Sequence, residues 1–141
     1  MGSIMNFDSK IPIYLQLHDH FQKLIFSGEL APGMPIPSFR KIASEAQVNT
    51  NTVQRAMISL VHEGLVGKQT GKGYSVIQDQ EKIMYRRQEL VQNTTKQFLN
   101  AMKALGYDRQ QIIEVVFQYS NDNSDYGFEN RIPTKGKLAE R

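Results

Sequence analysis

The histidines His18, His20 and His62 have the widest chemical repertoire in this chain, and their spacing limits what they can do. Two positions apart on a helix, His18 and His20 point to different faces and cannot grip one metal ion together. His62 is far off in sequence, and the chain contains no cysteine, so thiolate metal sites, disulfides and cysteine nucleophiles are all excluded. No nucleophile–base pair and no phosphate-cradling loop is present, which points away from catalysis and from a bound cofactor. What remains is a set of amide, hydroxyl and cationic side chains. Asn49, Thr50, Asn51, Thr52, Gln54 and Arg55 crowd together, with Ser38 and Arg40 upstream and Lys68, Thr70, Gly71, Lys72 and Gly73 downstream. Such groups donate to phosphate oxygens and pair with base edges, so the chemistry implied is non-covalent recognition of duplex nucleic acid.

These side chains need elements to hold them. Pro12 fits the first turn of a helix, and Ile13, Leu17, Phe21, Leu24 and Ile25 recur at helical spacing up to about Ser27, with Gly28 as the stop. The prolines Pro32, Pro35 and Pro37 forbid a helix in the next segment. Ser38 is an N-cap for a short second helix carrying Phe39, Ile42 and Ala43 and ending near Ala46. Asn49 caps a third helix, whose buried face is Val53, Met57, Leu60 and Val61 and which Gly64 closes. Leu65–Gln69 and Tyr74–Ile77 are predicted strands, and Thr70-Gly71-Lys72-Gly73 is the hairpin tip, where glycine supplies positive φ.

From about Gln80 the pattern changes. Ile83, Leu90, Thr94, Phe98, Met102 and Leu105 form a stripe on one long helix, about 25 residues or roughly 37 Å in length. Gly106 breaks it, and Asp108 caps a further helix whose apolar residues are Ile112, Ile113, Val116, Phe117 and Tyr119. A helix of that length cannot bury its stripe against one short partner. Ile83, Leu90, Phe98, Met102, Leu105, Ile112, Val116 and Phe117 are therefore expected to pack against a second copy, giving a homodimer. After Ser120 the composition turns polar, and a flexible tail is expected over residues 122–141.

Helix, helix, helix and hairpin in this order are the layout of a winged helix, a variant of the helix-turn-helix. The fold class expected is mainly α with a small β-wing. A DNA-binding domain over residues 8–78 is followed by a helical dimerisation extension over 79–121. The turn Gln47-Val48-Asn49 sets the third helix across the second and leaves its N-terminus projecting.

Motifs then narrow the reading. Ile11-Pro12-Ile13-Tyr14-Leu15-Gln16-Leu17, Gly28-Glu29-Leu30-Ala31-Pro32-Gly33 and Ile36-Pro37-Ser38-Phe39-Arg40 come first. Val48-Asn49-Thr50-Asn51-Thr52-Val53, Glu63-Gly64-Leu65-Val66 and Gly71-Lys72-Gly73 follow in order. Together they resemble the GntR family of transcription regulators over residues 11–76, and the Val48–Val53 segment is similar to its YtrA branch. The short helical stretch after the wing resembles that branch as well, since most others append a much larger effector domain. The resemblance implies that Ser38 and Arg40 touch the DNA backbone and groove edge. It implies that Asn49, Thr50, Asn51 and Thr52 enter the major groove, and that Thr70, Gly71, Lys72 and Gly73 approach the minor groove. Many family members carry arginine where this chain has Thr50, so specificity rests more on Arg40, Asn51 and Arg55. The resemblance further implies repression, and an inverted-repeat operator is expected because a two-fold dimer presents two recognition helices related by symmetry. A small-molecule effector, if there is one, would sit at the dimer interface or between wing domain and tail.

Two other classes share such a head. A MocR-type regulator attaches it to an aminotransferase-like domain, and the long helix after the wing argues against that. A winged helix used only for protein contacts commonly loses the basic and amide side chains that are present here.

Bulk properties agree with this reading without establishing it. The chain has 141 residues, 40% of them hydrophobic, and a formal charge of +3. Its pI of about 9.2 permits a nucleic-acid partner. No apolar run is long enough to span a bilayer and no signal-peptide pattern opens the chain, so a cytoplasmic location is expected. Met1-Gly2-Ser3 has the look of a cloning remnant and carries no argument.

Overall fold

Pro12 stands at the N-cap of helix α1 (Ile13–Ser27), just outside its first turn, and its carbonyl accepts from the Leu15 and Gln16 amides at 3.1 and 3.4 Å. The computed structural model describes residues 5–121; Met1-Gly2-Ser3 and the expected tail over 122–141 lie outside them. Gly28 ends α1 at φ 89°, a left-handed cap that costs glycine no Cβ clash. Leu17, His18, Phe21 and Ile25 form the buried side of α1. Ile13, expected on that side, is 41% exposed, because as the opening residue it lines an open groove.

The Ser38 hydroxyl accepts from the Lys41 amide at 3.1 Å and starts helix α2 (Phe39–Ala46). Asn49 does the same for helix α3 (Thr50–His62), its side-chain oxygen accepting from the Asn51 amide at 2.7 Å. Between them Gln47 turns the chain at φ 59°. Among the described residues it is the one non-glycine with positive φ. α3 buries Val53, Ala56, Met57 and Leu60. Val61, expected beside them, is exposed, since one step past Leu60 rotates it about 100° off the buried line.

Strands β1 (Val66–Gln69) and β2 (Gly73–Val76) pair antiparallel, with Val66 opposite Val76 and Gln69 opposite Gly73. Gly71 and Gly73 take φ 73° and 77° at the tip. The proline-rich segment adds a feature that composition does not reveal. Pro35 bridges to Ser75, the Ile36 amide donates to the Tyr74 carbonyl at 2.8 Å, and the Val76 amide donates to the Met34 carbonyl at 2.9 Å. Proline is confined to sheet edges for want of an N–H, and this segment runs along the free edge of β2. The core joins Leu17, Phe21 and Ile25 to Ile42, Val53, Met57, Leu60, Leu65 and Val76.

The chain falls into two compact units that divide between Gln88 and Glu89. The start of helix α4 (Gln80–Ala104) therefore belongs to the first unit. Ile83 is 8% exposed and sits in the core of that unit, and the Arg87 guanidinium donates to the Phe26 carbonyl at 3.3 Å. This corrects the expectation for Ile83: it is buried by its own chain and is not free to line an intersubunit seam. Helical periodicity shows that a residue is covered, and not by which neighbour.

In the second unit Gly106 (φ 91°) ends α4, and helix α5 (Arg109–Ser120) begins with a reciprocal capping box. The Asp108 carboxylate accepts from the Gln111 amide and the Gln111 side chain accepts from the Asp108 amide, both at 2.9 Å. Ile112 is 4% exposed in the single chain and lines a groove with Phe98, Val116 and Phe117. Leu90, Phe98, Leu105, Val116 and Phe117 remain exposed, and Met102 is half-buried.

Candidate nucleic-acid interface

Two grooves flank the first turns of α3. On the wing side, the α2 cap Ser38, Arg40 of α2, Thr50 of α3 and Lys72, Gly73 and Tyr74 of the wing line an open groove of about 630 Å³. Phe39 fixes one wall: its ring stacks on Tyr74 with centroids 5.1 Å apart and planes at 23°, which ties the start of α2 to β2. Neither α2 nor α3 has an acidic residue in its first turn, so the positive ends of both helix dipoles are uncompensated and favour an anion. Ser38 accepts its capping bond through oxygen, leaving the hydroxyl proton available to a phosphate. Asn49 likewise uses its oxygen in the cap and keeps its amide donors.

On the other side, Pro12, Ile13 and Tyr14 face Asn51, Thr52 and Arg55 across a groove of about 380 Å³. Asn51 and Arg55 are four apart and share one strip of α3. The Arg55 guanidinium lies 3.9 Å from the centre of the Tyr14 ring. Gln54 is exposed and Thr52 half-buried. Lys68, Thr70 and Gly71 are exposed on the hairpin and do not line either groove. Ser38, Arg40, Thr50, Lys72 and Gly73 thus share one groove and Asn51, Thr52 and Arg55 the other, while Asn49, Gln54, Lys68, Thr70 and Gly71 line neither.

Sequence reasoning did not single out three aromatic side chains that hold this surface: Tyr14, Phe39 and Tyr74. The first two lay inside quoted motifs, and only the tertiary fold shows their partners. Gln16 was missed in the same way. Its side-chain amide donates to the Asp8 and Ile11 carbonyls at 2.8 Å and its oxygen accepts from the Asp8 amide at 2.8 Å, which fixes the chain leading into Pro12 and Tyr14.

At the far end of α3, His18 Nε2 lies 2.7 Å from Glu63 Oε2, and Gln22 donates to the other carboxylate oxygen at 3.2 Å. The hydrogen bond to Glu63 raises the His18 pKa above its usual 6.5, against the opposing effect of burial and with help from Asp19. Burial lowers that of His20. No helix among the described residues is long and apolar enough to cross a membrane.

Known proteins match this arrangement. The family model for bacterial regulatory proteins, gntR family, matches residues 13–76. The chain is 32% identical over 108 residues to the HTH-type transcriptional regulator YhcF of Bacillus subtilis, covering 77% of this chain and 89% of that one. It is 25% identical over 115 residues to the HTH-type transcriptional repressor YtrA of the same organism, covering 81% and 88%. Among solved structures, a GntR family transcriptional regulator from Listeria monocytogenes superposes with a TM-score of 0.76 at 28% identity, over 79% of this chain and 98% of that one.

Proposed function

Because this chain belongs to the gntR family of bacterial regulatory proteins and is a DNA-binding transcription regulator rather than an enzyme, we propose that it represses transcription by binding an inverted-repeat operator as a homodimer in the cytoplasm. The observation that carries the reading is the wing-side groove, where Arg40, Thr50 and Lys72 from three separate elements line one surface. In this reading α3 enters the major groove and presents Asn51, Gln54 and Arg55 to the bases and their flanks. Arg40 and Ser38 grip the backbone, and Lys72 follows the minor groove. Support for repression is the likeness to a relative named as a repressor over most of both chains.

Support for the dimer is the exposed apolar surface of the second unit, where Phe98, Leu99, Ile113, Val116 and Phe117 line a groove. A second copy would cover it, and each Å² of apolar area so covered contributes about 25 cal/mol. The test is a mobility-shift series on random duplex and single-stranded DNA at rising salt. Duplex binding that weakens steeply with salt is expected, since each phosphate neutralised releases counterions. Salt-insensitive binding, or preference for single strands, would overturn the proposal.

A further inference from the structure

Arg55 is held from one side and open on the other. The central carbon of its guanidinium lies over the Tyr14 ring, 3.9 Å from the centroid. Among the described residues no carboxylate forms an ion pair with it. A guanidinium stacked by its face keeps the N–H groups around its edge free, in the fork geometry that matches a phosphate. Tyr14 is half-buried on the first turn of α1, a turn itself fixed by the bonds of Gln16 to Asp8 and Ile11. A ring held in this way can keep the cation in place before any DNA arrives. Preorganising a long side chain removes part of the entropy that binding would otherwise cost.

We infer that Tyr14 is a positioning residue for DNA recognition: its ring holds Arg55 at the α1 side of α3 as a fork for a backbone phosphate. The inference rests on the operator-binding reading above and adds a second contact line, on the flank of α3 away from the wing. A phosphate is the partner favoured by the position of Arg55. It stands in the second turn, behind the first-turn residues Thr50, Asn51 and Thr52, so it meets the wall of a groove that those residues enter.

The experiment uses the full chain with Tyr14→Phe, Tyr14→Leu, Arg55→Ala and the double variant Tyr14→Leu/Arg55→Ala. Affinity is measured for a duplex selected by the wild-type chain and for an unrelated duplex. Tyr14→Leu should weaken both by about three- to fivefold, since Arg55 must then be ordered at the moment of binding. Tyr14→Phe, which keeps the ring, should leave both unchanged. In the Arg55→Ala background Tyr14→Leu should have no further effect, and Arg55→Ala should reduce the salt dependence by about one phosphate per half-site. Nitrogen relaxation at Arg55 Nε in the free protein should report an ordered side chain in wild type and Tyr14→Phe, and a mobile one in Tyr14→Leu.

Equal losses from Tyr14→Leu with and without Arg55, or an Arg55 that stays ordered without the ring, would overturn the inference. A loss confined to one base pair would overturn the phosphate assignment. Failure of the wild-type chain to hold any duplex would overturn the operator-binding reading itself, and is seen before any variant is compared.

Discussion

His18 on α1 and Glu63 just past α3 meet at 2.7 Å, ring nitrogen to carboxylate oxygen, while the other ring nitrogen lies 2.9 Å from Asp19. The contact ties α1 to the end of α3 opposite the one that lines the two grooves. It links positions 45 apart in sequence, and both partners are largely or partly withdrawn from water, so screening by solvent is limited.

The direction of its pH dependence follows from the raised His18 pKa. The folded chain holds this proton more tightly than the unfolded one. The stabilisation is therefore fully present below the ordinary value of about 6.5 and is lost as pH rises through the higher folded value. His20, lowered by burial, works the opposite way and is left unchanged in the comparison. The difference in melting temperature between wild type and Glu63→Gln should be largest below about pH 6.5 and shrink above it. Thermal denaturation at a series of pH values checks this; a difference that grows with rising pH would contradict it.

Gln47 offers a gain in stability. At φ 59° it holds a left-handed conformation that strains any residue with a Cβ. Gln47→Gly should raise stability by roughly 0.5–1 kcal/mol, after allowing for the extra freedom of glycine in the unfolded chain. Denaturant unfolding measures the change, and DNA affinity should not move.

How far the sequence could be read depended on whether a signal was local. Ser38, Asn49 and Asp108 announce helix starts because a cap bonds within three residues of itself, and Gly28 announces a stop for the same kind of reason. The order of elements followed from such signals and from motifs, and the proposed DNA-contacting residues rest on the same motifs. The Pro35–Ser75 bridge, the Phe39–Tyr74 stack and the Tyr14–Arg55 contact join distant positions. No periodicity encodes them. The misreading of Ile83 has the same origin, because a helical stripe does not name the surface that covers each member.

Ile83 and Phe98 should accordingly behave differently although both belong to one stripe. Ile83→Ala removes a side chain buried in the first unit and should lower its stability by about 2–4 kcal/mol without disrupting the proposed dimer. Phe98 is 40% exposed in the single chain, so Phe98→Asp should leave that unit folded and abolish self-association, because an unpaired charge in an apolar seam is strongly unfavourable. Thermal melts paired with sedimentation separate the two effects.

At the wing-side groove, Arg40→Ala should weaken binding to the selected operator by about 1–3 kcal/mol. Lys72→Ala should cost less and act evenly across sequences, as a backbone contact does. Equilibrium binding of each variant to selected and unrelated duplexes checks the contrast. An Arg40→Ala variant that folds normally and binds as wild type would remove Arg40 from the interface.

In the function proposed above, two copies of this chain read one symmetric duplex site. Selection of bound duplexes from a random pool, followed by sedimentation of the complex on the enriched sequence, tests it most directly. An inverted repeat carrying two chains per duplex is expected, since a two-fold dimer presents two symmetry-related recognition helices. Enrichment of a single unrepeated site carrying one chain, or a wild-type protein that sediments as a monomer at micromolar concentration, would contradict it.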